Sequence, residues 1–174
     1  MILLKTMPDF VIRPATLDDL GAIREIYNYY VARSTCTFQI APETEEERLE
    51  WFRKRSAAHP GTVAERAGEV AGWGALSPWK ARAAYARSVE ASVYVRQDLH
   101  RAGIGRALLV DLIERARAAG HHLFIGGACT EQAASIALQE ALGFERVGCF
   151  REVGFKFGRW LDVLYLQLRL EPFL

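Results

Sequence analysis

The sequence predicts a single α/β domain in which a mixed sheet carries helices on its faces. The 174 residues are 51% hydrophobic and 25% charged, which is enough apolar material for one core, and we expect no second independent domain. Strand-like and helix-like segments follow one another in the order βαα, a hairpin, then βαβαββ, and this order implies a mixed sheet. The domain is expected to span residues 1–174, with its core at about 10–170.

The first third of the chain predicts one strand and two helices. Thr16 and Asp19 form a capping-box-like start for the first helix, and Thr44 with Glu47 forms one for the second. Apolar residues at helical spacing give the first helix one face to bury. The expected bounds are a strand at 10–13, a helix to about residue 32, an extended or looped segment at 35–39, and a helix from 44 to about 58.

The remaining elements are predicted from apolar runs and from glycines. Ala67 and Gly68 stand between two short apolar runs and indicate a hairpin turn. Gly120 and Gly143 are natural stops for the two later helices. The expected strands are 62–65, 70–76, 89–95, 123–128, 144–150 and 161–170, and the expected helices are 103–119 and 132–142.

Charge excludes two classes of partner. The 22 basic and 21 acidic residues give a formal net charge of +1, so no single-sign field would attract a nucleic acid or a membrane surface. The apolar start at residues 2–4 is too brief for a signal-peptide core, and no later stretch stays apolar long enough to span a bilayer.

The cysteines indicate the compartment. Cys36, Cys129 and Cys149 are widely spaced and form no C-x-x-C pair, so neither a disulfide framework nor a zinc site is expected. We therefore expect a reducing, cytoplasmic setting and no metal.

A glycine-containing loop joins the strand that ends at Val95 to the next helix. Glycines let the main chain approach a ligand, and a helix N-terminus presents unpaired N–H groups to phosphate oxygens. Arg101 and Arg106 add positive charge. The loop has neither the G-x-x-x-x-G-K-[ST] nor the G-x-G-x-x-G spacing, so we expect a phosphate-bearing cofactor other than ATP or a dinucleotide. A bare turn that enters a helix is the alternative.

This loop resembles the pyrophosphate loop [QR]-x-x-G-x-[GA] of the GNAT family of N-acetyltransferases, with His100 where Gln or Arg is usual. The resemblance covers nearly the whole chain and points to the phosphinothricin and methionine sulfoximine acetyltransferase branch. It implies the acyl-CoA N-acyltransferase fold, with a mostly antiparallel sheet. The stretches that carry it are residues 12–15, 26–28, 78–82, 90–95, 100–105, 133–136, 141–144 and 154–160.

The resemblance also implies acetyl-CoA as cosubstrate. The main chain of Val93, Tyr94 and Val95 would pair with the pantetheine arm as another strand does. Gln132, where the family has Asn, and Ser135 would lie beside that arm at the start of the next helix. The pyrophosphate would be held by Arg101, Ala102, Gly103, Ile104, Gly105 and Arg106.

An amine acceptor needs a base. An α-amino group with a pKa of roughly 8 is largely protonated near neutral pH and cannot attack a thioester in that form. Strand alternation places Glu90, Ser92 and Tyr94 on one sheet face. In relatives of the branch the glutamate of the E-x-[ST]-V-Y stretch is the base, often through water, and the resemblance carries that role to Glu90. A salt-bridged strand glutamate is the alternative.

The later chemical steps need two further groups. Backbone N–H groups near Val93 and Tyr94 are expected to stabilise the oxyanion. Family members carry Tyr or His, in the helix before L-G-F, to protonate the leaving thiolate. This chain has Gln139, which is not an acid, so Tyr94 is the predicted substitute, and a half-buried strand aromatic is its alternative role.

The expected acceptor is a small amino-acid-like amine. In the resembling branch, the loop containing Trp79, Lys80, Arg82 and Tyr85 lines the acceptor pocket, where the two cations would bind the carboxylate and the phosphinate- or sulfone-like oxygens. Phe38 would close the pocket or belong to the core. Relatives use the late loop at 155–160 at a dimer contact, which implies a homodimer.

Two other functions stay open at this point. A protein or peptide N-terminus is the first alternative acceptor, although Lys80 and Arg82 would repel a cationic peptide end. A non-catalytic acyl-CoA-binding module is the second, because His100 and Gln139 depart from the family pattern.

Overall fold

The computed structural model describes residues 9–170. The apolar start at 2–4, on which the signal-peptide expectation depends, lies outside them. The helices are α1 Leu20–Arg33, α2 Glu45–Arg53, α3 Ile104–Ala118 and α4 Ala133–Ala141, and short 3-10 turns occupy Leu17–Asp19, Ala83–Tyr85 and Gln97–Leu99. The strands are β1 Val11–Pro14, β2 Gly61–Arg66, β3 Glu69–Pro78, β4 Ser88–Val95, β5 Leu123–Cys129, β6 Glu145–Lys156 and β7 Arg159–Arg169.

The described strands form one sheet in the order β1-β2-β3-β4-β5-β7-β6. Only β4 and β5 pair in parallel, and the other five neighbouring pairs are antiparallel. The expected mixed, mostly antiparallel α/β sheet and the expected order of elements are therefore confirmed.

Two predicted boundaries were wrong. Helix α2 ends at Arg53 and not near residue 58, because Ser56 and His59 close a turn through reciprocal main-chain hydrogen bonds of 3.2 and 3.1 Å. Strand β6 continues past Phe150 as far as Lys156, through an irregularity in its pairing with β7 between Phe150 and Gly154.

The segment predicted as a late loop is thus mostly a β-hairpin. Its turn is Phe157 and Gly158, whose φ angles of 52° and 73° are both positive, as a tight hairpin turn requires. The β6 irregularity is braced from β7, because the main-chain N–H of Glu152 donates to the Asp162 carboxylate at 2.8 Å.

The sheet buries a core on each face. Val89, Leu112 and Phe124 belong to the core between the sheet, α3 and α4, whereas Ile23 and Trp73 belong to the core beneath α1. Because side chains alternate along a strand, residues of β4 that flank Val89 face the α1 side. Among residues 9–170, no helix is both long and apolar enough to cross a membrane.

Candidate active site

Strands β4 and β5 diverge shortly after they meet. Their parallel pairing covers only three positions and ends at Glu90 opposite Ile125, whereas β4 stays paired with β3 as far as Val95 opposite Gly72. The second half of β4 therefore has an open edge, and a wedge-shaped gap separates it from β5.

Two residues of β4 direct main-chain groups into this gap. The N–H of Arg96 donates to the Ala71 carbonyl of β3 at 2.8 Å. Since successive peptide groups point to opposite edges of a strand, Val93 and Val95 face the gap, whereas Tyr94 pairs with β3. Of the three residues predicted to pair with an extended ligand, the main chains of Val93 and Val95 are placed to do so.

The carbonyl of Val95 is held from helix α1. The Tyr30 hydroxyl donates to it at 2.5 Å and lies 2.6 Å from Nε2 of His100. Because a phenol has one proton, Nε2 of His100 must be the donor in the second hydrogen bond. Burial raises the pKa of Tyr30 to about 12, which keeps that proton in place. His100 thus fixes the start of the glycine loop to the core.

The loop itself has the geometry of an anion site. Arg101 and Gly103 have φ angles of 64° and 82°, and Gly103 is the N-cap of α3 with no side-chain cap. The first main-chain bond of the helix runs from Ala107 to Gly103 at 3.0 Å, so the N–H groups of Ile104, Gly105 and Arg106 lack helical partners. Arg101, Ala102 and Arg106 are exposed, and the loop fits a diphosphate.

Glu90 lies where the gap begins. Its neighbours Val89 and Ala91 pack on the α3 side, so Glu90, Ser92 and Tyr94 share the α1 face, as expected. The carboxylate is half-buried, and burial alone raises its pKa above the usual value. Within residues 9–170 no cation pairs with it, which argues against the salt-bridged alternative.

An aromatic wall stands beside Glu90. The ring of Tyr165 on β7 meets Trp79 and Phe150 edge-on, with centroid distances of 5.5 Å to each. Burial first, and then the charge of Glu90, raises the pKa of the Tyr165 phenol. Trp79 is fixed in turn by its main-chain N–H, which donates to Ser88 at 3.1 Å.

The rest of the predicted acceptor loop is open to solvent. Lys80 and Arg82 are exposed, and so is Tyr85, at 38%. The ammonium group of Lys80 lies 5.5 Å from the centroid of the Trp79 ring. The structure thus brings Trp79 to the wall beside Glu90 and leaves the two cations at its rim.

Phe38 is part of a loop that β6 holds in place. A Cβ atom added at Gly154 would lie 2.1 Å from the Phe38 ring, so that ring fills the space above the glycine. Lys156, which is 4% exposed, donates to the carbonyls of Ser34 and Thr37 at 2.8 and 2.7 Å. A buried ammonium group therefore fixes the loop that carries Phe38.

Tyr94 occupies an aromatic cluster. Its ring centroid is 5.0 Å from that of Trp73, 5.2 Å from that of Tyr27 and 5.8 Å from that of Tyr30. Burial raises the pKa of its phenol. It lies four residues after Glu90, a distance of about 13 Å along β4. Its predicted role as proton donor stays a prediction.

Comparison with known proteins identifies this arrangement. The family model of the acetyltransferase (GNAT) domain matches residues 12–165. The chain belongs to the GNAT acetyltransferase family. Acetyl-CoA is the cosubstrate of this acetyltransferase.

Relatives of the acetyltransferase include enzymes with named substrates. This chain is 42% identical over 163 residues to the L-methionine sulfoximine/L-methionine sulfone acetyltransferase of Pseudomonas aeruginosa. The match covers 92% of this chain and 95% of the Pseudomonas enzyme. It matches a phosphinothricin acetyltransferase from Sinorhizobium meliloti in complex with acetyl-CoA, with a TM-score of 0.88 and 36% identity over 93% and 89% of the two chains. A ribosomal-protein-alanine N-acetyltransferase from Brucella melitensis matches with a TM-score of 0.90 and 41% identity over 92% and 99%.

Two glutamines and one serine of helix α4 and its N-cap make defined side-chain contacts. Gln139 is 6% exposed, its Nε2 donates to Ser135 at 3.4 Å, and its Oε1 has no partner and abuts Gly126 of β5. Gln132 donates to Thr35 at 2.9 Å, which ties the loop that carries Phe38 to the start of α4. The acidic residue next to Gln139 on α4, Glu140, is paired with Arg146 at 2.6 Å.

Three features of the GNAT site were missed by sequence reasoning. Tyr165 and Lys156 lie in strands, where nothing in the neighbouring sequence indicates a role in the site. The spacing of Tyr30 predicted only that it belongs to the apolar face of the first helix. Their roles arise from contacts across 65 or more residues, which sequence spacing does not reveal. In residues 9–170, no three or more His, Cys, Asp or Glu side chains gather as a metal site would need.

Proposed function

We propose that this acetyltransferase moves the acetyl group of acetyl-CoA to the α-amino group of a small amino-acid analogue of the methionine sulfoximine, methionine sulfone or phosphinothricin type. The observation that carries the proposal is the half-buried, unpaired carboxylate of Glu90 at the mouth of the β4–β5 gap. The relatives named above support the substrate class.

Glu90 is the general base in this proposal. Burial raises its pKa towards that of the incoming ammonium group, and a base works best when its pKa lies near the operating pH. Glu90 takes a proton from the ammonium group, directly or through one water, and leaves a lone pair free to attack the thioester carbonyl. The N–H of Val93, which faces the gap, stabilises the oxyanion that forms.

The acceptor pocket is bounded by residues from three segments. Trp79 and the Tyr165 ring form its wall, and Phe38 covers the aliphatic part of the substrate. Lys80 and Arg82 at the rim bind the carboxylate and the second oxyanionic group, for which a guanidinium fork is suited. Tyr85 lies in the same rim and completes the predicted set.

A panel of amines tests the proposal. Thiol release from acetyl-CoA is followed with methionine sulfone, methionine sulfoximine, phosphinothricin and ordinary amino acids. We expect turnover with the oxidised or phosphinate-bearing analogues, and Glu90→Gln to slow transfer at least about 100-fold while calorimetry shows unchanged binding of coenzyme A. Glu46→Gln on the exposed face of α2 is the control. Full activity in Glu90→Gln would remove this base from the mechanism.

A protein N-terminus is the second candidate acceptor. The similarity to a ribosomal-protein-alanine N-acetyltransferase favours it, whereas the cations Lys80 and Arg82 at the rim disfavour a cationic peptide end. A peptide with a free N-terminal alanine separates the two, and efficient turnover of it in preference to the amino-acid panel would reverse the assignment. Turnover of either acceptor would exclude a non-catalytic acyl-CoA-binding module.

We further propose a homodimer that forms through the β6 edge and the β6–β7 hairpin. Strand β6 ends the sheet, and a contiguous exposed apolar surface favours association. Light scattering should give twice the mass of one chain, and Phe155→Ser with Trp160→Ser should give the single mass. The exposed apolar side chains are Val147, Phe150, Val153, Phe155, Phe157 and Trp160, each between 53% and 61% exposed.

The proposed setting is the cytoplasm. Cys36, Cys129 and Cys149 are all free thiols, as proteins kept in a reducing compartment have them.

A further inference from the structure

The proposed reaction leaves one proton unassigned. Collapse of the tetrahedral intermediate breaks the C–S bond and expels a thiolate, which must gain a proton to leave as the thiol. Gln139 stands on α4 where an acid would be useful, but an amide has no proton to transfer. Another acidic group near the gap is required, and its role rests on the proposed acetyl transfer.

Tyr165 reaches the gap because its neighbour on β5 is a glycine. Tyr165 pairs with Gly127, and the Tyr165 atoms nearest to a Cβ added there would be Cε1 at 3.3 Å, Cδ1 at 3.6 Å and Cζ at 3.9 Å. The Cδ1–Cε1 edge of the ring therefore lies over the glycine. A side chain at 127 would press against this ring.

A ring that extends from β7 over Gly127 of β5 runs in the direction of β4, because β5 lies between β7 and β4 in the sheet. Gly127 lies two residues past Ile125, the last β5 residue that pairs with β4, so the ring overlies the strand where the gap has opened. Trp79 and Phe150 hold the ring from its edges. A phenol is thus held at the mouth of the gap on the same face as Glu90.

We infer that Tyr165 is the group that donates a proton to the departing thiolate in this acetyltransferase. The sequence predicts this role for Tyr94, whose ring is enclosed by Tyr27, Tyr30 and Trp73 about 13 Å along β4 from Glu90. Tyr165 instead lies beside the gap and within the electrostatic reach of Glu90.

The protons balance through the pair of Glu90 and Tyr165. Glu90 first takes one proton from the ammonium group and passes it to solvent. After the C–N bond forms, Glu90 takes the second nitrogen proton, the C–S bond breaks, and the thiolate takes the phenolic proton of Tyr165. The neutral Glu90 carboxyl then returns its proton to the phenolate through water. One acetyl group moves and one proton is released overall.

The two groups assist each other electrostatically. An ionised Glu90 raises the pKa of the Tyr165 phenol and keeps it protonated before the reaction. Once Glu90 has taken the nitrogen proton, its negative charge is gone and the phenol becomes a stronger acid at the moment when the thiolate leaves.

Tyr165→Phe tests the inference, because it removes the hydroxyl and keeps the ring over Gly127. We expect kcat to fall about 100-fold, with unchanged KM for the amine and unchanged calorimetric affinity for coenzyme A. Adding Gln139→His to this variant supplies an acid from α4 and should restore much of the lost kcat. Tyr29→Phe on α1 is the matched control and should keep kcat within about twofold. Tyr94→Phe is measured beside it.

Three results would overturn the inference. An unchanged kcat in Tyr165→Phe would do so, as would a change confined to the KM of the amine, which would make Tyr165 a pocket wall only. A reduced kcat in Tyr94→Phe, together with an unchanged kcat in Tyr165→Phe, would assign the proton donation to Tyr94. Failure of the proposed function differs from all three, because the unaltered protein would then release no thiol with any amine, and the inference would fall with it.

Discussion

The ring of Phe38 lies in the space where a side chain at Gly154 would stand. A Cβ at 154 would be only 2.1 Å from Cε2 and 2.4 Å from Cδ2 of that ring. The contact joins the loop after α1 to strand β6, two segments more than 100 residues apart, and it places Phe38 beside the proposed acceptor pocket.

Gly154→Ala should therefore act on the pocket. The added methyl group must push Phe38 aside, and overpacking of this kind costs roughly 1–3 kcal/mol. We expect a lower unfolding midpoint in urea and a higher KM for the amine. Phe38→Leu in the same chain should recover stability, and Gly148→Ala, where nothing lies within 4 Å, is the control. Equal effects of the two alanine substitutions would contradict the proposed contact.

Lys156→Met should loosen the loop that carries Phe38. The change removes both donors to the carbonyls of Ser34 and Thr37 and leaves those acceptors unsatisfied, at a cost of roughly 1–3 kcal/mol. We expect the KM for the amine to rise while calorimetry shows unchanged binding of coenzyme A. Lys54→Met at the exposed end of α2 is the control, and a loss confined to coenzyme A affinity would refute this role.

Ionised Glu90 should lower the free energy of unfolding at pH values above its folded pKa. A carboxyl whose pKa is raised by folding stabilises the protein below its unfolded pKa of about 4.3, and that contribution is lost as the pH rises through the folded pKa. Burial raises the pKa of Glu90. Thermal unfolding at neutral pH should accordingly show Glu90→Gln to be as stable as the original chain or more so. A large loss of stability would indicate a structural ion pair.

The pH dependence of transfer should follow the same group. Because only ionised Glu90 accepts a proton, kcat/KM should rise with pH through a limb that lies above the ordinary glutamate value of about 4.3. Rate measurements from pH 4 to 9 would reveal the limb. It should disappear in Glu90→Gln, and a limb that persists there belongs to another residue.

Tyr30→Phe should weaken the hold on coenzyme A. The change removes the hydrogen bonds to the Val95 carbonyl and to His100, which position the open edge of β4 and the start of the glycine loop. One such bond is worth about 1 kcal/mol, or about a fivefold rise in the Kd of coenzyme A. Tyr29→Phe is the control, because that ring packs edge-on against Tyr30. Equal losses in both variants would point to packing alone.

Local patterns predicted most of the architecture. The helix from residue 103 was expected to about 119 and ends at Ala118, because a strong apolar stripe and a following glycine depend only on near neighbours. The end of β6 was missed because its pairing with β7 passes through an irregularity near Glu152, and nothing in the local sequence marks where a partner strand continues to pair.

In the candidate site, too, some features were predictable from the sequence and others only from the fold. Strand alternation alone placed Glu90 and Ser92 on one face, and a motif located the glycine loop. Only the folded chain could show that the main chain of Tyr94 pairs with β3 while that of Val93 faces the gap, since edge orientation depends on the partner's register.

By itself the sequence determined the order of elements and the position of the glycine loop, because each depends on spacing within a few residues, and the family resemblance supplied Glu90 as the candidate base. The tertiary structure decided that the phenol beside the gap is that of Tyr165, that the ammonium group of Lys156 holds the loop that carries Phe38, and that His100 contacts Tyr30. Those relationships join residues such as Glu90 and Tyr165, whose proximity arises from strand order and from the absence of a side chain at Gly127. Packing between distant segments is a property of the whole fold, and no local pattern encodes it.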